Sequence, residues 1–201
     1  MNSEILEHFE KIDPKIYPFI KKFQKDLKLE ILKPDKYFYR LCRSIAFQQL
    51  NGKAATTIWD RFENLLSGKV IPETVINIES EKMRACGLSN AKVSYIKNIA
   101  HAFAEDANYL NLDHLSNEEV IELLTKIKGI GKWTAEMFLM FTLGREDIFS
   151  MGDYGLKKGF MKVYGYKKEP SVKTIERITK KWSPYKTYAS LTLWNVADTK
   201  I

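Results

Sequence analysis

Hydrophobic residues recur every three to four positions along most of the chain, which is the spacing of an amphipathic α-helix. In the segment YFYRLCRSIAFQQL, for example, Phe38, Leu41 and Ile45 fall on one helical face. We find no convincing run in which apolar and polar residues alternate, as they do in a half-buried strand. The pattern therefore predicts an all-α protein of about ten helices.

The starts of the predicted helices carry proline or an N-capping residue. Pro14 opens a helix over residues 15–27. The next long helix covers residues 37–50, and Asn51 with Gly52 ends it. Further starts are marked by Pro34, Pro72, Ser80, Ser89, the capping-box sequence Ser116–Glu119, Asp153, Ser171 and Pro184.

Two linker-like stretches, residues 28–33 and 144–152, interrupt the helical pattern. They predict a division into two helical lobes. One lobe is built from both ends of the chain, residues 1–34 with 145–201, and the other from the central residues 35–144. The 201 residues suit either one large domain or two small lobes.

Composition adds a preference for an anionic partner and excludes several classes of site. The net charge is +7, and a basic surface of this size favours a polyanion. Hydrophobic residues make up 45% of the chain, which is enough for a buried core. Cys42 and Cys86 lie far apart, so the sequence holds no disulfide framework and no cysteine cluster for zinc or iron–sulfur.

The chain also lacks the features of a membrane or secreted protein. No apolar run approaches the ~20 residues that a membrane-spanning helix requires. The N-terminal segment MNSEILEHFEKI is charged and has no signal-peptide core. We therefore expect a cytoplasmic protein, associated with the nucleoid if the source is prokaryotic.

The segment IKGIGKWTAEMF predicts a Gly-x-Gly turn between two helices. Gly129 and Gly131 let the backbone turn sharply, and the N–H groups that begin the second helix form a seat for an anion. Lys126, Lys128 and Lys132 add positive charge around this turn. A phosphate of a nucleic acid backbone would fit there without base specificity. An ordinary helix–helix corner is the alternative.

The turn, the tryptophan that follows it and an aspartate about 20 residues later form a recognisable constellation. GIGKWTA with Asp153 resembles the helix-hairpin-helix superfamily of DNA base-excision glycosylases, in particular the 3-methyladenine DNA glycosylase II branch. Three further stretches carry the resemblance in the same order over residues 37–196, namely YRLCRSIAFQQLNGKAATTIW, MRACGLSNAKV and WSPYKTYASLTLW.

The resemblance implies a two-lobed all-α fold with the active-site cleft between the lobes. It also implies the compact form of the family, without an N-terminal β-rich domain. Asp153 then becomes the catalytic carboxylate, because a negative charge beside the sugar stabilises an oxocarbenium-like transition state. A plain helix N-cap is the alternative role for Asp153. Asp147 is its nearest rival, and its position indicates a turn or surface residue.

The resemblance further assigns the residues that would contact a flipped base. Trp133 occupies the position where the lyase-active branches carry a Schiff-base lysine, which implies a monofunctional enzyme. Trp133 and Trp194 would line the base pocket, where indoles attract a cationic methylated purine. Met137 would join them at a position where better-known relatives carry a tyrosine. A core role is the alternative for Trp133.

Two sets of residues would hold the DNA itself. Gln49 aligns best with the side chain that fills the hole left by a flipped base, and Leu50 is the apolar alternative for this wedge. Leu50 could instead be a core residue. The backbone would be held by Lys128, Gly129, Gly131 and Lys132.

No cofactor is expected to be required, apart from a structural monovalent cation at the hairpin. By resemblance, this cation would bind the backbone carbonyls of Thr125, Ile127 and Ile130. The expected partner is double-stranded DNA that contains alkylated bases, and the expected state is a monomer. The expected reaction is monofunctional excision of bases of the 3-methyladenine type. The alternatives are a non-catalytic helix-hairpin-helix DNA-binding protein and a glycosylase for a different damaged base.

Overall fold

A computed structural model describes residues 3–199 and folds them into helices. No strand occurs among these residues, so the all-α prediction is confirmed. Four short 3-10 turns also occur in this part of the chain. The twelve α-helices are α1 (Ser3–Ile12), α2 (Tyr17–Phe23), α3 (Tyr37–Phe47), α4 (Gly52–Leu65), α5 (Pro72–Asn77), α6 (Ser80–Ala85), α7 (Asn90–Glu105), α8 (Asn117–Thr125), α9 (Lys132–Phe141), α10 (Tyr154–Tyr164), α11 (Val172–Thr179) and α12 (Lys186–Asp198).

Two predicted helices are shorter than expected. The chain turns after Phe23, and Leu27 is buried from a loop, so the helix predicted over residues 15–27 ends early. The helix predicted to reach residue 50 ends at Phe47, because Gln49 adopts a left-handed backbone with φ 57°. In both places the apolar spacing continues past the point where the backbone leaves the helix.

Capping explains why several helices begin where they do. The backbone N–H of Glu119 donates to Ser116 Oγ at 3.2 Å, and the backbone N–H of Ser116 donates to Glu119 Oε2 at 2.8 Å. This reciprocal pair is the predicted capping box. Ser89 and Ser171 cap α7 and α11 with the same kind of side-chain bond.

The chain divides into two compact units. The first comprises Met1–Glu30 with Gly144–Ile201, and it holds α1, α2 and α10–α12. Its centre is polar as well as apolar, because the indole N–H of Trp182 and the hydroxyl of Tyr164 both donate to buried Asp13. The fully buried apolar side chains around them include Phe9, Ile16, Ile20, Leu27, Leu156, Phe160, Ile175 and Leu193.

The second unit comprises Ile31–Leu143 and holds α3–α9. Helix α7 packs against both α3 and α5, and α8 packs against α9. The largest of its fully buried side chains are Trp59, Tyr37, Phe62, Leu41, Ile45 and Met83. None of the helices within residues 3–199 combines the length and the hydropathy that a bilayer-spanning segment requires.

Candidate active site

Asp153 lies at the start of α10, where its side chain caps the helix. Its Oδ1 accepts a hydrogen bond from the backbone N–H of Leu156 at 2.8 Å, so the N-cap expected from the sequence is present. The side chain is half-buried. The cap fixes the carboxylate at the positive end of the α10 dipole, where a negative charge is favourable.

A second donor reaches the same oxygen from α12. The indole Nε1–H of Trp194 donates to Asp153 Oδ1 at 2.9 Å. The structure therefore brings together two of the residues singled out in the sequence, although they stand 41 positions apart. Two bonds from different helices hold the carboxylate in one orientation, which a catalytic group requires.

Two glycines of α10 make this contact geometrically feasible. A Cβ at Gly155 would lie 2.8 Å from Trp194 Cδ1, so the missing side chain leaves room for the indole. A Cβ at Gly159 would lie 2.1 Å from the carbonyl oxygen of Leu193, so α10 and α12 cross at backbone contact distance. Neither glycine was predicted from the sequence, although their spacing of four positions places them on one face of α10 and was a usable signal for close helix packing.

Two other residues near Asp153 in the sequence, Tyr154 and Asp147, have different environments. Tyr154, the next residue along the chain, is 79% exposed and was also missed in the sequence. Asp147 accepts hydrogen bonds from Ser183 Oγ at 2.8 and 3.0 Å and from Lys186 Nζ at 3.2 Å. These bonds attach the loop before α10 to the start of α12, so Asp147, which the sequence placed in a turn or at the surface, has a structural role.

The Gly-x-Gly turn lies between α8 and α9, as predicted. The N–H of Ile130 donates to the carbonyl of Ile127 at 3.0 Å, and Gly129 has φ 112°. Gly131 is the N-cap of α9, and it offers no side-chain acceptor to the first N–H groups of that helix. Such N–H groups suit an external anion. Lys128 and Lys132 are exposed beside the turn.

Helix α7 supports the turn with two residues that no sequence pattern predicted. Asn98 Nδ2 donates to the carbonyl of Lys128 at 3.0 Å. A Cβ at Gly129 would lie 2.3 Å from Tyr95 Cγ, so the turn rests directly on the tyrosine ring. No sequence motif marks these supports, because they depend on how α7 packs against the hairpin.

Trp133 and Met137 lie one turn apart on α9. Trp133 is 42% exposed, so the alternative of a core tryptophan is wrong. Met137 is buried at 9% exposure. Lys132, which precedes Trp133, has its Nζ 3.9 Å from Glu136 Oε1.

The candidate wedge forms a tight turn between α3 and α4. Gln49 is exposed and has a left-handed backbone, and Leu50 is 40% exposed, so the core alternative for Leu50 is wrong. Gln48 Nε2 donates to Thr134 Oγ1 at 3.1 Å, which attaches the turn to α9 beside Trp133. Asn51 caps α4 by accepting from the N–H of Ala54 at 2.9 Å.

The candidate residues thus form two groups, one in each unit. Asp153 and Trp194 are in direct contact in the unit made from the chain ends. The hairpin, the wedge turn and α9 are connected in the central unit. No group of three or more His, Cys, Asp or Glu side chains suited to a metal occurs among residues 3–199.

Comparison with known proteins gives a consistent result. Residues 42–184 match the model of the HhH-GPD superfamily of base excision DNA repair proteins. DNA-3-methyladenine glycosylase 1 of Schizosaccharomyces pombe is 35% identical over 164 residues, which are 80% of this chain and 72% of that protein.

Two solved structures extend the similarity to the fold. A DNA-3-methyladenine glycosidase from Bacillus halodurans shares 37% identity with a TM-score of 0.78, over 93% of this chain and 86% of that one. The 3-methyladenine DNA glycosylase of S. pombe, solved with abasic DNA, has 31% identity and a TM-score of 0.81, over 98% and 100%.

Proposed function

The chain belongs to the HhH-GPD superfamily of base excision DNA repair proteins, and we propose that it is a DNA-3-methyladenine glycosylase. It would hydrolyse the N-glycosidic bond of an alkylated base in duplex DNA. The observation that carries this proposal is the Asp153 carboxylate, held by the Leu156 N–H and the Trp194 indole in a chain that also has the helix-hairpin-helix turn. Similarity to 3-methyladenine glycosylases over most of the chain supports the substrate class.

Asp153 would act on the sugar. As the bond to the base breaks, positive charge develops on the deoxyribose, and a fixed carboxylate stabilises that charge without having to reorganise. The same carboxylate can orient or deprotonate the attacking water. An alkylated purine already carries positive charge and leaves readily, so one carboxylate is sufficient.

Trp133, Trp194 and Met137 would contact the flipped base. Stacking and cation–π attraction between an indole and a cationic purine contribute about 0.5–2 kcal/mol. The Nε1–H of Trp194 donates to Asp153, so the same side chain would contact the base and orient the carboxylate. The exposure of Trp133 supports a role in ligand contact rather than in the core.

The hairpin and the wedge turn would hold the DNA. Lys128, Gly129, Gly131 and Lys132 would bind backbone phosphate through side-chain charge and through the N–H groups that begin α9. Gln49 or Leu50 would enter the space left by the flipped base. Both wedge candidates are exposed at the tip of the turn, which supports that role.

We also propose a monovalent cation at the hairpin, held by the carbonyls of Thr125, Ile127 and Ile130. The Ile127 carbonyl already accepts one hydrogen bond, and its second lone pair can coordinate a cation. Binding of duplex DNA should weaken several-fold when sodium and potassium are replaced by tetramethylammonium at equal ionic strength. Unchanged affinity would argue against the cation.

The function is tested by incubating the protein with duplexes that each contain one damaged base and scoring the free base released. We expect release of methylated purines, with no covalent adduct on borohydride treatment. Binding without release from any duplex would instead indicate a non-catalytic DNA-binding protein. Release of an oxidised base with adduct formation would indicate a lyase-active relative.

A further inference from the structure

The ammonium group of Lys92 contacts the chain where the wedge turn, residues 48–51, begins. Its Nζ donates to the carbonyls of Ala46 and Gln48, each at 2.8 Å. These carbonyls belong to the last turn of α3 and to the residue that follows it, where a helix has no internal partners for its C=O groups. Hydrogen bonds from a charged donor are shorter and stronger than neutral ones.

The position of Lys92 in α7 indicates that its side chain stabilises a different helix. Lys92 is the third residue of α7, and its backbone N–H donates to the N-cap Ser89. A positive side chain is unfavourable at the positive end of a helix dipole. The side chain instead reaches the negative end of α3, where a cation is favourable. Partial burial lowers the pKa of Lys92, as expected for an ammonium held away from water.

The turn that Lys92 supports has an unfavourable backbone. Gln49 has φ 57°, a conformation that residues other than glycine rarely adopt and that persists only when its surroundings enforce it. On one side, Gln48 Nε2 is bonded to Thr134 Oγ1. On the other, Asn51 is fixed as the N-cap of α4. Lys92 adds bonds to the carbonyls of Ala46 and Gln48, of which Gln48 immediately precedes Gln49.

We propose that Lys92 is a positioning residue that holds the wedge turn, residues 48–51, in the shape that enters DNA. This inference rests on the proposed function and adds the residue on which wedge insertion depends. Without the ammonium, Gln49 can relax to ordinary backbone angles, and the wedge must then be ordered again each time it enters the duplex. Preorganisation lowers that cost.

Lys97 provides a matched control on the same helix. Its Nζ donates to the carbonyls of Ile76 and Ile78 at 3.2 and 2.6 Å, so it also caps the end of a helix, here α5. Loss of either lysine therefore removes the same kind of bond in the same unit. Of these two lysines, Lys92 is the one that contacts the chain next to the wedge.

The experiment compares the wild type, Lys92→Met, Lys92→Arg and Lys97→Met. The rate constant for single-turnover excision is measured on a duplex that contains N7-methylguanine, together with the melting temperature of each variant. A second duplex carries 2-aminopurine opposite a stable abasic-site analogue, and its fluorescence reports entry of the wedge. Lys92→Gln, which keeps a neutral amide donor but loses the charge, replaces Lys92→Met if the latter does not fold.

We expect Lys92→Met to slow excision about 10-fold to 100-fold and to abolish most of the 2-aminopurine response. Lys97→Met should stay within about 3-fold of the wild type at a similar loss of melting temperature, and Lys92→Arg should retain both signals. Equal losses in the two Met variants, or a wild-type response in Lys92→Met, would overturn the inference. A wild type that releases no base from any duplex would instead refute the proposed function.

Discussion

Asp153 combines a structural bond and the proposed chemistry in one side chain. Its Oδ1 accepts from the N–H of Leu156 at 2.8 Å and from the indole of Trp194 at 2.9 Å. The first bond is local and follows from an aspartate at a helix start. The second is made by a residue on a different helix and orients the carboxylate from outside its own turn.

Replacing Trp194 by Phe should separate aromatic contact from orientation of the carboxylate. The ring is kept, but the N–H donor to Asp153 is lost. Because a bond to a charged acceptor contributes about 1.5–3 kcal/mol, we expect kcat to fall about 10-fold to 100-fold with KM changed less than about 3-fold. Steady-state kinetics on a methylated duplex measures both constants.

Trp182→Phe is the matched control for this variant. It also removes an indole N–H that donates to an aspartate at 2.9 Å, but that aspartate is the buried Asp13. Trp182→Phe should lower the melting temperature and leave kcat near the wild-type value once the protein is folded. Equal kcat losses in both variants would show that general destabilisation, not orientation of Asp153, causes the effect.

At the scale of helices, the contact between Asp153 and Trp194 depends on how closely α10 approaches α12. Gly159→Ala would place a methyl group 2.1 Å from the Leu193 carbonyl oxygen, and backbone cannot yield as a flexible side chain can. We expect a loss of about 1–3 kcal/mol in the free energy of unfolding, measured in urea. Excision should slow as well, since Trp194 directly follows Leu193.

Gly52→Ala serves as the control for Gly159→Ala. Gly52 begins α4, and no atom lies within 4 Å of a Cβ built there. This change should leave the unfolding free energy unchanged or raise it by up to about 1 kcal/mol. If Gly159→Ala were equally tolerated, the two helices could separate without cost, and the close crossing would have no role in positioning the indole.

The two glycines of the hairpin should behave differently from each other. Gly129→Ala introduces strain at φ 112° and a clash 2.3 Å from the Tyr95 ring, so it should cost about 2–3 kcal/mol of stability. Gly131 has open space around it, so Gly131→Ala should cost less than about 1 kcal/mol. The affinity of Gly131→Ala for duplex DNA should nevertheless fall about 10-fold, because the added methyl group would meet the DNA backbone.

Urea denaturation and fluorescence anisotropy with labelled DNA distinguish these two effects. Affinity unchanged in Gly131→Ala would mean that no phosphate approaches the start of α9.

Helix starts and the hairpin could be predicted from sequence because their causes are local. Ser116 with Glu119, Asp153 before α10 and the Gly-x-Gly turn each act within a few residues. The supports of the site were not predictable in this way. Lys92 under the wedge turn and Trp194 on Asp153 are brought into place by tertiary packing over 41 residues or more.

For the whole molecule, the net charge of +7 predicts an affinity for DNA that depends on salt. Each lysine that neutralises a phosphate adds about one to the slope of log K against log salt concentration. Lys128→Gln at the hairpin should therefore reduce that slope by about one. Binding isotherms at several sodium chloride concentrations measure it.

Lys82 is a suitable control for this measurement. It is exposed in the same unit but lies 3.4 Å from Glu79, which offsets its charge. Lys82→Gln should leave the slope unchanged. Equal slopes for Lys128→Gln and the wild type would show that the hairpin lysine binds no phosphate.

Base release by Asp153→Asn, measured beside its affinity for duplex DNA, shows directly whether the charge of Asp153 drives the reaction. An asparagine caps a helix as well as an aspartate does and can still accept from the Trp194 indole, so the change removes the charge and little else. We predict that release of a methylated purine falls by a factor of at least about 10³ while the affinity changes less than about 3-fold. Release at the wild-type rate from a folded Asp153→Asn protein would show that Asp153 is not the catalytic carboxylate.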